Sequence, residues 1–344
     1  MNQIENRKDE HVRISLEKDV SSHHNYWDQI KLIHNALPEI NKEEIDISTK
    51  LFNKKLGAPL IISAMTGGYI KAKKINENLD AAAEKYQIGM GVGSQRAALE
   101  KVNLKDTYAI VKNYDIPIRF ANIGASQLVL WGYKKTLENA KVMIDMIDAH
   151  VFVVCLNFLQ EIVQPEGEAN AKGCYDAIKK LAEDLDIPLV IKESGAGISY
   201  EVAEKLSKMK IAGIDVGGAG GTSFSAIEYY RAKLIGDELN ARSAKTFWDW
   251  GIPTPTSIIE VGQATKWKIP IIATGGIRNG LDVEKALALG ANCAGVAHAL
   301  LKPATKDKKS TITEIDSIIK ELYVAMFLVG ANKISNMKDI GVDL

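Results

Sequence analysis

From about residue 58 onward, short apolar runs alternate with amphipathic stretches. The runs are Pro59–Ser63, Ile88–Gly91, Ile118–Ile123, Val151–Leu156, Leu189–Lys192, Gly213–Val216, Ile271–Thr274 and Ala294–Val296. They are rich in branched residues and lack polar alternation, the pattern of parallel strands buried on both faces. Between them, Ala72–Tyr86, Leu137–Ile147, Cys174–Leu185, Tyr200–Lys208 and Leu281–Leu289 carry the helical period, the last opened by Asp282 near its start. Eight strands alternating with helices predict an α/β fold closed as a (β/α)8 TIM barrel. Two stretches break the rhythm. Residues 1–57 form an N-terminal extension carrying the irregular, proline-containing segment LIHNALPEI, and residues 225–262 form a long insertion between strands 6 and 7. Long insertions at the catalytic face of a barrel are usually lids or subunit contacts. With no linker or low-complexity segment, the 344 residues are expected to form a single domain: the extension contributing to the site, and a barrel over 58–344.

Two of the predicted strands run into glycine turns that open helices, in IDVGGAGGTSFSAIEYYR and IIATGGIRNGLDVEKALALG. Glycine admits close backbone approach to a ligand, and the helix that follows points free N–H groups at it. Two such turns on neighbouring strand–helix units predict one phosphate held between them, where barrels build such sites. No Gly-Lys-Ser/Thr follows either turn, which excludes a Walker loop. The turns also come too late in the chain for a Rossmann unit.

The remaining strand ends supply polar groups: SAMTGG, GVGSQRA with Ser94 and Arg96, ANIGASQ with Asn122, CLNFLQEIVQPEGE with Asn157, Gln160 and Glu161, and KESGAG with Lys192 and Glu193. No histidine–carboxylate pair stands beside a serine, and no His/Cys spacing suggests zinc. Lys192 at a strand end suits a Schiff base, a flavin partner or an ion pair with Glu193 or Glu161. Neighbouring amides such as Asn122 favour the flavin, whose reduced ring carries negative charge that a lysine stabilises.

Charge and cysteine content narrow the class. The 43 basic residues balance 43 acidic ones, which argues against a general nucleic-acid or membrane role. Cys155, Cys174 and Cys293 are sparse and unpatterned, as in a cytoplasmic protein with reduced thiols. The segment MNQIENRKDEHVRISLEKD has no apolar core and is not expected to be a signal peptide.

These motifs in this order, together with RKDEHVRISL and HNALPEI in the extension, resemble the type II isopentenyl diphosphate isomerases, which are FMN-dependent barrels. The resemblance spans essentially the whole chain. It implies an isomerase that interconverts isopentenyl and dimethylallyl diphosphate with reduced FMN, with Mg2+ on the diphosphate and NADPH or another reductant. A cytoplasmic homo-oligomer, tetramer or octamer, with no nucleic-acid or membrane partner, is expected. FMN would be held by Met65, Thr66, Gly67, Ser94, Asn122, Lys192, Ser194, Gly217, Gly218, Gly221, Thr222, Gly275, Gly276, Arg278 and Ala297. The diphosphate substrate would meet Arg7, Lys8, His11, Ser94, Arg96, Asn157 and Gln160. Glu161 would carry the metal. Gln160, Glu228 and Lys192 would be catalytic.

Three stretches depart from the family pattern: Cys155 where histidine is usual, with Phe158 beside it; Phe224 where tryptophan is usual; and His298 near the last strand. They leave open a non-catalytic or repurposed flavin- or prenyl-diphosphate-binding paralogue. Another FMN-dependent barrel oxidoreductase is the remaining alternative.

Overall fold

The computed structural model describes residues 3–343. Eight parallel strands close into a barrel: β1 (Leu60–Ile62), β2 (Gly89–Gly91), β3 (Arg119–Gly124), β4 (Val151–Cys155), β5 (Leu189–Lys192), β6 (Gly213–Asp215), β7 (Ile271–Thr274) and β8 (Cys293–Val296). Each strand pairs with its sequence neighbours, and β8 closes on β1 through Ala294–Leu60, Gly295–Ile61 and Val296–Ile62. Every predicted strand is present within a residue or so of its expected bounds.

The lower barrel interior is apolar. Ile61, Phe120, Val153, Val190 and Ile272 form one cluster with Leu51 and Leu56. These two leucines belong to a hairpin, Thr49–Leu51 and Lys54–Leu56, whose Phe52 lies edge-on to Phe120. A side chain on Gly213 would strike the Phe52 ring at 2.9 Å, so glycine there admits the plug. The N-terminal mouth is thereby sealed, and the C-terminal mouth is left for chemistry.

The extension, expected from sequence to carry a proline-containing loop and to contribute to the site, contains a helix, Gln3–Glu17, that lies against the helices Phe224–Leu234 and His298–Lys306. Its Lys31–Leu32 pairs antiparallel with Val342–Asp343, joining the two ends of the described chain. The insertion is helical: Phe224–Leu234, Glu238–Thr246 and Thr254–Thr265 follow in succession. Thr254–Thr265 packs on β7 and is the ordinary barrel helix, so the added piece lies between residues 235 and 253. The helix after β7 is capped by Asn279, whose side chain accepts from the Asp282 N–H; Asp282 stands in the first turn.

Candidate active site

The two glycine turns touch. Gly218 N–H donates to the Thr274 carbonyl, and a side chain on Gly221 would lie 2.4 Å from the Gly276 nitrogen. On Gly276 it would lie 2.6 Å from the Gly220 carbonyl oxygen. Gly217, Gly275 and Gly276 also sit at positive φ, which side chains resist. The helix Phe224–Leu234 is capped by Ser223, whose hydroxyl accepts from Ala226 N–H.

A strap from the extension covers these turns from outside. Trp27 Nε1 donates to the Gly275 carbonyl at 2.9 Å, Asn25 Nδ2 to the Gly276 carbonyl at 3.3 Å, and Ser22 N–H to the Gly221 carbonyl at 2.7 Å. Lys285 Nζ donates to the Trp27 carbonyl at 2.7 Å. Outside the strap, Asp249 of the insertion accepts from the Ser22 hydroxyl, from His23 N–H and from His23 Nδ1. Sequence reasoning missed these residues, because nothing local marks a segment whose partners lie more than two hundred positions away.

The turns line a cavity of about 470 Å3 with Met65, Lys192, Ser194, Thr222, Arg278 and Ala297. A smaller cavity, about 150 Å3, adjoins it beneath the N-terminal helix. It is lined by Arg7, Lys8, His11, Thr66, Gly67, Ser94, Arg96, Asn122, Asn157, Gln160 and Glu161. His11, Met65, Lys192, Ser194 and Phe224 border both.

The mouth carries a polar layer over the apolar barrel. Lys192 Nζ donates to the Glu193 carbonyl at 2.8 Å and makes no ion pair with the Glu193 or Glu161 side chain. Burial pulls its pKa down, but Cys155, Asp215 and Glu193 outweigh that and leave it raised, so it remains a cation. Glu193, pushed by burial up to about 7, accepts from Ser194 and Ala196 N–H. Gln95 is structural: it donates to the Met143 carbonyl and accepts from Asn122 N–H. The side-chain oxygens of Asn122 and Thr66 are buried without partners, in the wall of the smaller cavity.

At the outer end, Arg96 pairs with Glu168 and Glu100, and Glu168 also accepts from Gln127. Glu161 accepts from Asn157 Nδ2 and from Glu168 N–H, both at 2.9 Å. Among the described residues no three His, Cys, Asp or Glu side chains converge on a metal position. A lone carboxylate is the donor set of Mg2+ held chiefly by substrate phosphates. Lys8 Nζ donates to the Ser94 carbonyl, and burial and then Arg7 pull its pKa down to about 7.

Several expected site residues are placed otherwise than anticipated: Thr66, Gly67 and Asn122, expected at the flavin, line only the smaller cavity. Glu228 lines neither cavity; it is wholly buried behind His11, whose Nε2 donates to it at 2.8 Å, and Gln160 Nε2 reaches it at 3.5 Å. Burial pushes its pKa up, but His11 and Arg231 reverse this, so it is ionised. The reason is helical rise: Glu228 shares the face of Phe224 but lies one turn, about 6 Å, further along the helix, under the N-terminal helix and past the cavity walls. Arg278 lines the larger cavity, but its guanidinium is held by Asp28 and Asp282. Of the departures, Cys155 lines the smaller cavity and is pushed by burial to about 11, so it is a neutral thiol. Phe224 sits edge-on to His11 between the cavities, and His298 Nε2 meets the Ser15 carbonyl. Phe158 packs against the core instead of the cavities.

Known proteins resolve what this mouth belongs to. An isopentenyl-diphosphate delta-isomerase of Thermoplasma volcanium is 44% identical over 337 residues, 97% of this chain and 95% of the relative. Those of Thermoplasma acidophilum and Methanosarcina mazei are 45% and 41% identical over 97% and 99% of this chain, covering 95% and 91% of their own. The chain belongs to the isopentenyl-diphosphate delta-isomerase family. A family profile described as FMN-dependent dehydrogenase matches residues 155–342, which span β5 to β8 and both glycine turns of this isomerase-family chain. Solved structures share the fold at lower identity. A mandelate oxidase with (S)-2-phenylpropionate aligns with a TM-score of 0.67 at 16% identity, covering 99% of this chain and 97% of its own. A flavocytochrome b2 variant with sulfite bound aligns with a TM-score of 0.67 at 16% identity, covering 97% and 82%. No described helix is long and apolar enough to cross a membrane.

Proposed function

We propose that this protein interconverts isopentenyl and dimethylallyl diphosphate using FMN, with Mg2+ on the diphosphate and NADPH or another donor as reductant. One observation carries the reading: Met65, Lys192 and Ser194 form the shared wall between a phosphate cradle and a cavity ringed by Arg7, Lys8 and Arg96. A cofactor phosphate and a substrate diphosphate thus have separate anchors, with the reacting groups meeting at that wall. FMN fits the larger cavity by the tightness of its glycine turns, while the unpartnered Asn122 and Thr66 oxygens face the adjoining smaller cavity.

Bound FMN in its reduced form supplies acid–base chemistry that moves a proton on and off a five-carbon unit. The protein residues bind and position. Lys192 would hold a positive charge against the reduced ring, and Gly217, Gly218, Gly221, Thr222, Gly275, Gly276 and Ala297 would hold the phosphate end of FMN, beside Arg278, whose guanidinium Asp28 and Asp282 already hold. Arg7, Lys8, His11 and Arg96 grip the diphosphate, with arginine suited to paired phosphate oxygens. Glu161, oriented by Asn157, gives the metal a hard oxygen ligand. Ionised Glu228 holds the proton on His11 Nε2 and accepts from Gln160 Nε2, so the three form one hydrogen-bonded group at the edge of the substrate cavity. Closing the N-terminal helix over this cavity excludes water.

Assembly of copies belongs to the same reading: Leu234, Ile235, Leu239 and Trp250 leave an apolar face of the insertion exposed. A repurposed pocket is the second reading, favoured by Cys155, whose neutral thiol replaces an imidazole in the substrate wall.

The test is turnover of isopentenyl diphosphate by the yellow, flavin-loaded protein. Conversion is expected with reduced flavin and Mg2+, and loss of conversion in chelator or with oxidised flavin. A flavin-loaded protein inert under reducing conditions with Mg2+ overturns the isomerase reading in favour of the repurposed one.

A further inference from the structure

Arg231 is 9% exposed and makes three separate ion pairs. Its Nη1 donates to Glu228 Oε2 at 2.7 Å, its Nε to Glu10 Oε2 at 3.0 Å, and its Nη2 to Glu166 Oε1 at 2.6 Å. The three carboxylates come from three segments. Glu228 lies on the helix after β6, Glu10 on the N-terminal helix, and Glu166 on the loop after β4. Each partner has a neighbour in the site: Glu10 stands between Lys8 and His11, Glu166 follows Glu161 by five residues, and Glu228 holds His11.

We infer that Arg231 is a positioning residue that locks the N-terminal helix and the post-β4 loop onto the Glu228 helix, so that the diphosphate cations, the metal carboxylate and His11 assemble as one unit. The identity of the ligand rests on the isomerase reading; the lock does not. Neutralising buried Glu228 needs only one of Arg231's contacts. The other two draw further negative charge from the N-terminal helix and the post-β4 loop, adding to the contacts that His11 and Gln160 make with Glu228, which is what a clamp requires and a simple charge pair does not. Only guanidinium serves the arrangement, because its planar fork presents five donors in fixed directions, whereas an ammonium is a single point charge.

Glu10→Gln and Glu166→Gln each remove the charge of one arm while leaving the Arg231–Glu228 pair intact, and Arg231→Lys tests the fork. In the flavin-loaded, substrate-free protein, amide exchange over residues 5–17 is expected to quicken about tenfold in Glu10→Gln and Arg231→Lys, with β4 and β7 unchanged. In steady-state kinetics each variant is expected to raise KM for isopentenyl diphosphate about tenfold while kcat stays within about threefold and the flavin spectrum is unaltered. Unchanged exchange and unchanged KM in both glutamine variants overturn the lock, even if Arg231→Lys fails to fold. Faster exchange in a protein whose wild type does not turn over isopentenyl diphosphate keeps the lock and sinks the isomerase reading. Active wild type with unaltered exchange and KM in the variants does the reverse.

Discussion

Trp27 Nε1 donates a hydrogen bond to the carbonyl of Gly275, 248 positions away, at 2.9 Å. The indole is 1% exposed, and Lys285 holds its own carbonyl. The first contact between the extension and the second glycine turn is therefore a buried, fully directed one. Trp27→Phe keeps most of the apolar volume and deletes the donor, leaving a buried carbonyl unsatisfied at a cost of about 1–3 kcal/mol. Flavin release is expected to quicken roughly tenfold, followed by the fluorescence of freed flavin. Release at the wild-type rate would mean that the strap does not support the turn. Gly276→Ala is expected to lose flavin outright, because the added methyl meets the Gly220 carbonyl and the residue sits at φ 73°.

Cys155 occupies the substrate wall beside Lys192, opposite it in the β4–β5 register. Its neutral thiol cannot supply the charge-assisted contact that the family resemblance implies for an imidazole there, worth about 1.5–3 kcal/mol. Cys155→His is expected to lower KM for isopentenyl diphosphate about tenfold with flavin still bound, in steady-state assays. An unchanged or higher KM would indicate a pocket repacked around Phe224, in which histidine no longer fits.

Lys8 is pulled down to about 7 by burial and by Arg7. In the free protein its cation therefore predominates below pH 7 and is lost above it, and a diphosphate binds best to the cation. Between pH 6 and 8, kcat/KM is expected to fall for the wild type relative to Lys8→Arg, whose guanidinium stays charged. Substrate ionisation is common to both proteins, so the ratio of the two profiles isolates Lys8. A flat ratio would remove Lys8 from diphosphate binding.

Glu284 is wholly buried, neither carboxylate oxygen has a partner, and burial pushes its pKa up to about 8. The folded protein therefore keeps a proton that the unfolded chain releases near its ordinary value. Stability must fall as pH rises from that value to about 8, by about 1.4 kcal/mol per pH unit at most, and then level off. Glu284→Gln has no such titration. Its Tm is expected to exceed that of wild type increasingly from pH 5 to 8, by scanning calorimetry. A constant difference between the two proteins across that range would show that Glu284 does not titrate in the fold.

The barrel was legible because each strand is buried on both faces and each helix on one, so composition and period carry the information locally. The glycine turns were legible for the same reason: Gly218, Gly221 and Gly276 answer to backbone crowding that only glycine tolerates. Glu168 and Glu166 were not singled out as site residues, although PEGE stands in plain view. A glutamate on a loop carries no local mark of whether it faces solvent or an arginine. The pairing of Arg96 with Glu168 and of Arg231 with Glu166 joins positions 72 and 65 apart.

The sequence by itself determined the closed parallel barrel, the two phosphate-type turns and the family, because periodicity, glycine at positive φ and the ordered motifs are properties of short stretches. Tertiary structure alone decided how the extension is used. Gln3–Glu17 reads as a mixed-charge segment, and only its docking on Phe224–Leu234 makes Lys8 a depressed cation and His11 a donor to Glu228. It decided too that Glu228 lies behind the substrate cavity instead of in its wall. Burial and charge pairing are set by which distant elements pack together, and no local pattern of hydrophobic and polar residues encodes that.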